Sequence, residues 1–150
     1  MKIARFRSGR RVAFGVVMND DVVEIRGNIY NKFRMTDTRH PVSEVTFLAP
    51  TEPSDIWGPG LNFADHLEFA ATVLGGEALS APVHPKPWHK GRNALTGPGE
   101  PIIIPKDSNG DVHYEGEIVA VIGKHCRRVA PDKAAKSVSY THLRAHETLR

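Results

Sequence analysis

Two glutamates, placed two residues apart, are the side chains in this sequence best suited to bind a metal ion. Glu115 and Glu117 lie in the segment 112–123, which is rich in β-branched residues and follows the turn-forming run 107–111. Side chains alternate along a strand, so both carboxylates lie on one face with Cα atoms about 6.6 Å apart. Their mutual repulsion favours a bound divalent cation with oxygen ligands. The alternative is an edge strand with a solvated acidic end.

A histidine near a helix start is the second candidate for chemistry. Apolar residues recur at helical spacing after Gly58-Pro59-Gly60, and Gly75-Gly76 end the pattern. Asn62 is the predicted N-cap, so His66 falls in the first turn, where a strand, a glycine turn and a helix meet. There it could serve as a base, or it could be an ordinary surface histidine.

A cationic and aromatic segment is the third candidate. Residues 77–101 are predicted to be irregular and are rich in Pro, Gly and His, and within them residues 85–92 include Trp88 and Lys90. Long loops with such side chains often contribute to binding sites. A solvated connector is the competing interpretation.

The remaining elements are mostly predicted strands. Residues 3–6, 12–17 and 22–25 form a small β-meander within an N-terminal subdomain that ends near residue 50. Residues 26–44 are predicted to be a loop with one helical turn, 45–48 a strand, and 49–54 a linker. Residues 102–104, three consecutive isoleucines, are predicted to be a buried strand.

Composition restricts the class of protein. A chain of 150 residues, 40% apolar and 25% charged, can form a globular core. The net charge is +3, and the basic residues are scattered along the chain, without the basic run that binds a nucleic-acid backbone. No apolar run reaches membrane-spanning length. The single cysteine, Cys126, excludes an intramolecular disulfide and fits a reducing compartment. These features predict a cytoplasmic protein with neither a nucleic-acid nor a membrane partner.

Several ordered motifs together resemble the fumarylacetoacetate hydrolase family. E-x-E alone is common, but the set occurs in the family's order and at about its spacing, from the N-terminus to about residue 138. The matching segments are residues 60–66 (GLNFADH), Lys90, residues 95–102 (LTGPGEPI), residues 114–117 (YEGE) and residues 121–123 (VIG).

The resemblance implies a fold and a set of roles. It implies a mainly β (α+β) fold, a mixed β-sandwich roll that is incomplete here and preceded by the small N-terminal β subdomain, and usually a homodimer. Glu115 and Glu117 fall on metal-ligand positions, with Mg²⁺ as first choice and Mn²⁺ or Ca²⁺ as alternatives. His66 falls on the catalytic histidine, and Trp88 and Lys90 lie near substrate-binding positions.

The implied function is a metal-dependent hydrolase. It would cleave a carbon–carbon bond in small 2-oxo or 2,4-dioxo acids, such as acylpyruvates, through a metal-stabilised enolate. The alternatives are an isomerase, decarboxylase or lyase of the same family acting on 2-hydroxy-dienoates, or a chain that is catalytically inactive as it stands.

Two departures from the family pattern bear on these alternatives. Many hydrolase members carry a glutamate three residues after the histidine, and this chain has Phe69 at that position. The nearest acid is Glu68, which on a helix is rotated by about 100° away from the direction of residue 69 and so from the face that His66 shares with it. Residues 139–150 also lack the segment that supplies the family's third metal ligand, an aspartate. We therefore expect a small subdomain at 1–50, the first part of a catalytic domain at 51–138, and a non-native tail at 139–150, whose composition shows neither a strand nor a helix pattern continuous with the domain. A genuine divergent C-terminus is the alternative. Sequencing the source gene past codon 138 tests the origin of this tail.

Overall fold

The computed structural model describes residues 1–150 except 75–79, 109, 111 and 150. For residues 73, 74, 113–115 and 140–149 it describes the backbone alone. The contacts divide the chain into two compact units, Met1–Pro50 with Gly97–Arg150, and Thr51–Thr96. The domain boundaries expected from the sequence remain a prediction. In the described part of the chain, no helix is long and apolar enough to cross a membrane.

The N-terminal half of the first unit is one antiparallel sheet. Its strand order is β4-β3-β2-β1-β5. The strands are β1 (Lys2–Ser8), β2 (Arg11–Met18), β3 (Asp21–Gly27), β4 (Phe33–Pro41) and β5 (Thr46–Phe47).

Local sequence explains the first three strands, which confirm the predicted meander. Two-residue turns join them, since Ser8 pairs with Arg11 and Met18 pairs with Asp21. Each turn begins with a residue at positive φ, 58° at Gly9 and 53° at Asn19. Such turns match the right-handed twist of a hairpin.

The loop predicted for residues 26–44 is wrong over most of its length. Strand β4 occupies Phe33–Pro41 and pairs with β3, with a register shift between Val23 and Ile25. Its residues are largely exposed and polar because it lies at the sheet edge, so it lacks the apolar alternation of a half-buried strand. The predicted helical turn is confirmed as a 3₁₀ turn at Val42–Glu44.

The core of this sheet includes one buried carboxylate. Phe6, Val22 and Val23 are each at most 1% exposed, and Glu24 is 3% exposed. The Arg11 guanidinium pairs with one Glu24 oxygen, and His40 Nε2 lies 3.4 Å from the other. Burial of this carboxylate is therefore compensated by two cationic or donor groups.

The second unit contains a two-stranded hairpin and a helix. They are β6 (Ile56–Gly60), α1 (Ala64–Leu74) and β7 (Lys86–Lys90), and β6 pairs with β7. Helix α1 confirms the predicted helix, while the predicted stop at Gly75-Gly76 lies outside the described residues. Residues 58–60, predicted as a turn, are the end of β6.

The predicted loop at 77–101 is therefore interrupted by β7. Pro87 lies opposite Pro59 in the register, so the two residues that lack an N–H face each other. Composition gave no strand signal because Pro and His are uncommon in strands, and pairing with β6 decides the conformation.

The first unit continues with a second hairpin. It is built from β8 (Val112–Ile122) and β9 (Val138–Leu149), with the short helix α2 (Pro131–Ala134) between them. Strand β8 confirms the predicted strand. Strand β9 forms although the composition of the tail showed neither a strand nor a helix pattern, since β8 offers it a full-length pairing edge.

The buried strand predicted at 102–104 is wrong. Ile102, Ile103 and Ile104 have no regular structure and are 53%, 83% and 55% exposed. An apolar run becomes a buried strand only where other elements cover it, and that condition is not local.

Candidate functional site

The two glutamates lie on β8 at the predicted alternation. In the backbone register Glu115 is opposite His146, and Glu117 is opposite Arg144. The side chains of Glu117, Val119 and Val121 are half-buried, whereas the opposite face carries Ile118 and Ile122, which are 67% and 57% exposed. The Glu115 side chain lies outside the described residues. The Glu117 side chain therefore lies on the more sheltered face of β8, and the shared face of the two carboxylates stays a prediction from the strand alternation.

The donor chemistry of this face fits a hard divalent cation. Carboxylate oxygens are the ligands that Mg²⁺, Mn²⁺ and Ca²⁺ prefer, and one or two from the protein suffice when water or substrate completes the shell. Within the described residues no group of three or more His, Cys, Asp and Glu side chains is placed to hold a metal. The pair stays a predicted metal-binding pair, and its test is described under the proposed function.

A hydrogen-bonded turn leads into β8. The buried Ser108 hydroxyl donates to the Pro105 carbonyl at 2.7 Å and accepts from the Gly110 N–H at 3.2 Å. Gly110 has a φ of 77°, which suits glycine. Asn109 and Asp111 of the predicted turn 107–111 lie outside the described residues.

The far end of β8 is attached to the N-terminal sheet. The Gly123 N–H donates to the Ser137 carbonyl at 3.2 Å, and the Ser139 hydroxyl donates to the Tyr30 carbonyl at 3.2 Å. A Cβ at Gly123 would overlap the Ser139 side chain and lie 2.8 Å from the Tyr30 Cβ. The close approach explains why glycine ends the motif at residues 121–123.

The motif at residues 95–102 forms a tight turn. Glu100 N–H donates to the Gly97 carbonyl at 3.2 Å, and Gly97 N–H donates to the Glu100 carboxylate at 2.6 Å. Pro98 and Gly99, the latter with a φ of 79°, occupy the central positions that a type II turn requires. A Cβ at Gly97 would come within 3.1 Å of backbone atoms of residues 47–49, so this turn packs on the end of β5.

His66 lies in the first turn of α1, as predicted, and is half-buried. The first helical hydrogen bond runs from Leu67 N–H to the Phe63 carbonyl at 3.1 Å, so Phe63 rather than Asn62 precedes the helix. Leu61 has a φ of 55° in the connection from β6. A left-handed leucine is unfavourable, and such conformations concentrate at functional sites.

Helix α1 carries no carboxylate three residues after His66. Phe69 holds that position and is 53% exposed. Glu68 is exposed, and its carbonyl accepts a hydrogen bond from the Thr72 hydroxyl at 3.0 Å. The acid that would orient the imidazole is therefore absent from this helical position, as the sequence indicated.

Trp88 and Lys90 share one face of the β6–β7 hairpin. Lys90 Nζ lies 5.7 Å from the centroid of the Trp88 ring, and both residues are half-buried. Trp88 is opposite Gly58, and Lys90 is opposite Ile56. The two predicted substrate-binding residues thus form one cation–π pair.

The other face of this hairpin holds a cluster that sequence reasoning missed. The Trp57 and His89 rings are 5.0 Å apart, and His89 Nε2 lies 3.5 Å from Asp55 Oδ1. Trp57 and His89 are cross-strand partners, which no local pattern could reveal.

These features define a mainly β protein with a carboxylate-bearing strand and a histidine at a helix start. Residues 55–144 match the family described as fumarylacetoacetate (FAA) hydrolase C-terminal, and residues 1–50 match the family described as Rv2993c-like, N-terminal. The first match covers more than half of the chain. The chain belongs to the fumarylacetoacetate hydrolase family.

Three relatives illustrate the similarity. Protein Rv2993c of Mycobacterium tuberculosis is 30% identical over 145 residues, which are 92% of this chain and 52% of that protein. The mitochondrial oxaloacetate tautomerase FAHD2A of Bos taurus is 36% identical over 103 residues, 67% of this chain and 30% of the bovine protein. The crystal structure of 5-carboxymethyl-2-hydroxymuconate delta-isomerase from Mycobacterium smegmatis is 28% identical with a TM-score of 0.82, covering 99% of this chain and 56% of that one.

The chain therefore spans about half the length of the tuberculosis protein and of the solved isomerase. The fold similarity confirms the mainly β class predicted from the sequence.

Proposed function

We propose that this chain carries residues of a metal-dependent enzyme that forms enolates from small 2-oxo acids. The observation that supports it most directly is that Glu115 and Glu117 stand two residues apart on strand β8, where the Glu117 side chain is half-buried. Family membership supports it independently, because the bovine and mycobacterial relatives are named a tautomerase and an isomerase, both of which move protons next to carbonyl groups.

Glu115 and Glu117 would hold the divalent cation, with Mg²⁺ as first choice and Mn²⁺ or Ca²⁺ as alternatives. The bound cation would polarise the 2-oxo acid and stabilise negative charge on the oxygen of the enolate. Two protein carboxylates leave coordination positions for the oxygens of a substrate.

His66 and Lys90 would act on the substrate itself. His66 would take a proton from one carbon or oxygen atom of the substrate and return it to another, since imidazole is the common base near neutral pH. The Lys90 ammonium would bind the substrate carboxylate, to which it can donate charge-assisted hydrogen bonds.

Isomerisation or tautomerisation is the reaction that the residues around His66 support best. Phe69 stands where an orienting glutamate would assist the activation of a water molecule, and a proton shift requires no such water. Hydrolytic cleavage of a carbon–carbon bond in acylpyruvate-like acids is the second candidate, favoured by the family's name. The homodimer and the cytoplasmic location stay predictions.

Mn²⁺ binding and two assays test this proposal on the 150-residue chain. We expect Mn²⁺ to broaden the backbone NMR signals of Gly116 and Ile118 selectively, and Mg²⁺ to reverse the effect. Glu117→Gln should weaken Mn²⁺ binding at least about tenfold because a carboxylate ligand is lost. Glu44→Gln, an exposed carboxylate of the same unit, is the matched control and should change nothing.

The reaction is assayed with oxaloacetate for tautomerisation and with an acylpyruvate for cleavage. We expect Mg²⁺-dependent tautomerisation that His66→Ala removes, and a gain of at least about tenfold in cleavage for Phe69→Glu. Faster cleavage than tautomerisation in the unmodified chain would make it a hydrolase. Cation binding without either reaction would make this chain an inactive part of the enzyme, and no cation binding would refute the metal site.

A further inference from the structure

The β6–β7 hairpin brings an aspartate and a histidine together on one face. Asp55 directly precedes β6, and Trp57, two residues later, is the cross-strand partner of His89 on β7. Side chains alternate along a strand and cross-strand partners share a face, so all three side chains lie on the same side of the hairpin. Asp55 is thus the diagonal neighbour of His89. The pairing register of the backbone brings the carboxylate and the imidazole together.

The distance between the two polar atoms is long for a hydrogen bond. His89 Nε2 lies 3.5 Å from Asp55 Oδ1. A charge-assisted hydrogen bond between such groups measures about 2.7–2.9 Å. Two ligand atoms of one tetrahedral Zn²⁺ ion, each about 2.0–2.1 Å from the metal, are about 3.3 Å apart. The observed separation is therefore closer to that of two ligands of one ion than to that of a direct hydrogen bond.

The surroundings of the pair are suited to a cation. The side chains of His89 and Asp55 are 47% and 57% exposed, so water reaches both and can complete a coordination shell. The lysines of β7, Lys86 and Lys90, alternate onto the opposite face of the hairpin. The Trp57 ring lies beside the imidazole, with centroids 5.0 Å apart and planes tilted by 56°. A neighbouring ring restricts the imidazole and reduces the ordering that binding requires.

We propose that Asp55 and His89 bind a transition-metal ion, with Zn²⁺ as first choice, and that water completes its coordination shell. Imidazole nitrogen is a preferred ligand of Zn²⁺, Cu²⁺ and Ni²⁺, whereas carboxylate oxygens alone suit Mg²⁺ and Ca²⁺. The site thus differs in ligand chemistry from the pair Glu115 and Glu117 and does not depend on the proposed function. Two protein ligands are fewer than the three or four of most zinc sites, so we expect weak, exchangeable binding.

A Zn²⁺ titration of the full, untagged chain tests this site. Long-range ¹H–¹⁵N spectra of the histidine rings should show a Zn²⁺-dependent shift of His89 Nε2, assigned with His89→Gln. Asp55→Asn should weaken Zn²⁺ binding at His89 at least about tenfold, because one of two protein ligands is lost. His84→Gln removes another exposed histidine of the same unit, so it is the matched control and should leave the His89 titration unchanged.

Two further controls separate this site from the predicted metal-binding pair on β8. Mg²⁺ should not shift the His89 signal, and Glu117→Gln should leave Zn²⁺ binding at His89 unchanged. An unchanged Zn²⁺ affinity in Asp55→Asn would overturn the inference, because His89 would then bind the ion without the carboxylate. A His89 signal that millimolar Zn²⁺ does not shift would also overturn it, and the two side chains would then form an exposed ion pair only.

Discussion

The N-terminal sheet and the β8–β9 hairpin belong to the same unit but differ in how they bury apolar side chains. In the sheet, Val22 is 0% exposed and Ile25 is 7% exposed. On β8, Ile118 is 67% exposed, and the isoleucines at 102–104 are also exposed. The sheet contains its own core within the described residues, whereas the apolar face of β8 has no comparable cover there.

This difference separates two kinds of stability. Residues in the sheet are held by packing, and the charged Glu24 is compensated inside it. The carboxylate strand β8 is held by backbone pairing with β9 and by its contacts at Gly123 and Ser139. We therefore expect substitutions in the sheet to change the free energy of unfolding much more than substitutions on the exposed face of β8.

The largest effect is expected from the same substitution made in both regions. Ile25→Ala should lower the free energy of unfolding by about 2–5 kcal/mol, because it leaves a cavity in a buried core. Ile118→Ala should cost less than about 1 kcal/mol, mainly through reduced β propensity. Hydrogen exchange of the β1–β3 amides with a urea series measures both. Equal losses would show that β8 is packed as tightly as the sheet.

An intermediate effect is expected from the buried ion pair. Arg11→Ala leaves the Glu24 carboxylate, 4% exposed in its side chain, with His40 Nε2, 3.4 Å away, as its remaining side-chain partner among the described contacts. Water reaches the 64% exposed Arg11 side chain, so the loss should be about 1–2 kcal/mol rather than that of a fully buried pair.

The matched control for the ion pair is Arg39→Ala in the same sheet. Arg39 lies 3.8 Å from Asp21 in a pair that is exposed on both sides, so the change should cost at most about 0.5 kcal/mol. Urea midpoints at neutral pH compare the two variants. If Arg11→Ala were no worse than Arg39→Ala, the Glu24 charge would not depend on the guanidinium.

The comparison also explains which elements the sequence could predict. Strands β1–β3, helix α1 and β8 follow from short-range patterns: β-branched runs, turn residues such as Gly9 and Asn19, and helical spacing around Leu67. Strands β4, β7 and β9 depend on a partner strand. The prediction of a buried strand at residues 102–104 failed for the same reason, because an apolar run is buried only where another element of the fold covers it.

The candidate site divides in the same way. The shared face of Glu115 and Glu117 and the position of His66 in the first turn follow from periodicity alone. The contact between Lys90 and Trp88 depends on the Gly58–Trp88 register, and the Asp55–His89 pair depends on the same hairpin. Spacing along the chain carries no information about such cross-strand contacts.

The smallest effect on stability is expected at the most exposed isoleucine. Ile103 is 83% exposed, so Ile103→Lys should change the free energy of unfolding by less than about 0.5 kcal/mol. It should nevertheless reduce concentration-dependent self-association, because a charge interrupts an exposed apolar run. Val12→Lys, at a 44% exposed position on the sheet, is the control and should leave self-association unchanged. Sedimentation velocity over a concentration series measures both variants. A stability loss above about 1 kcal/mol for Ile103→Lys would mean that this segment is packed in solution. The difference in burial of apolar side chains between the N-terminal sheet and the rest of the unit would then be smaller than described.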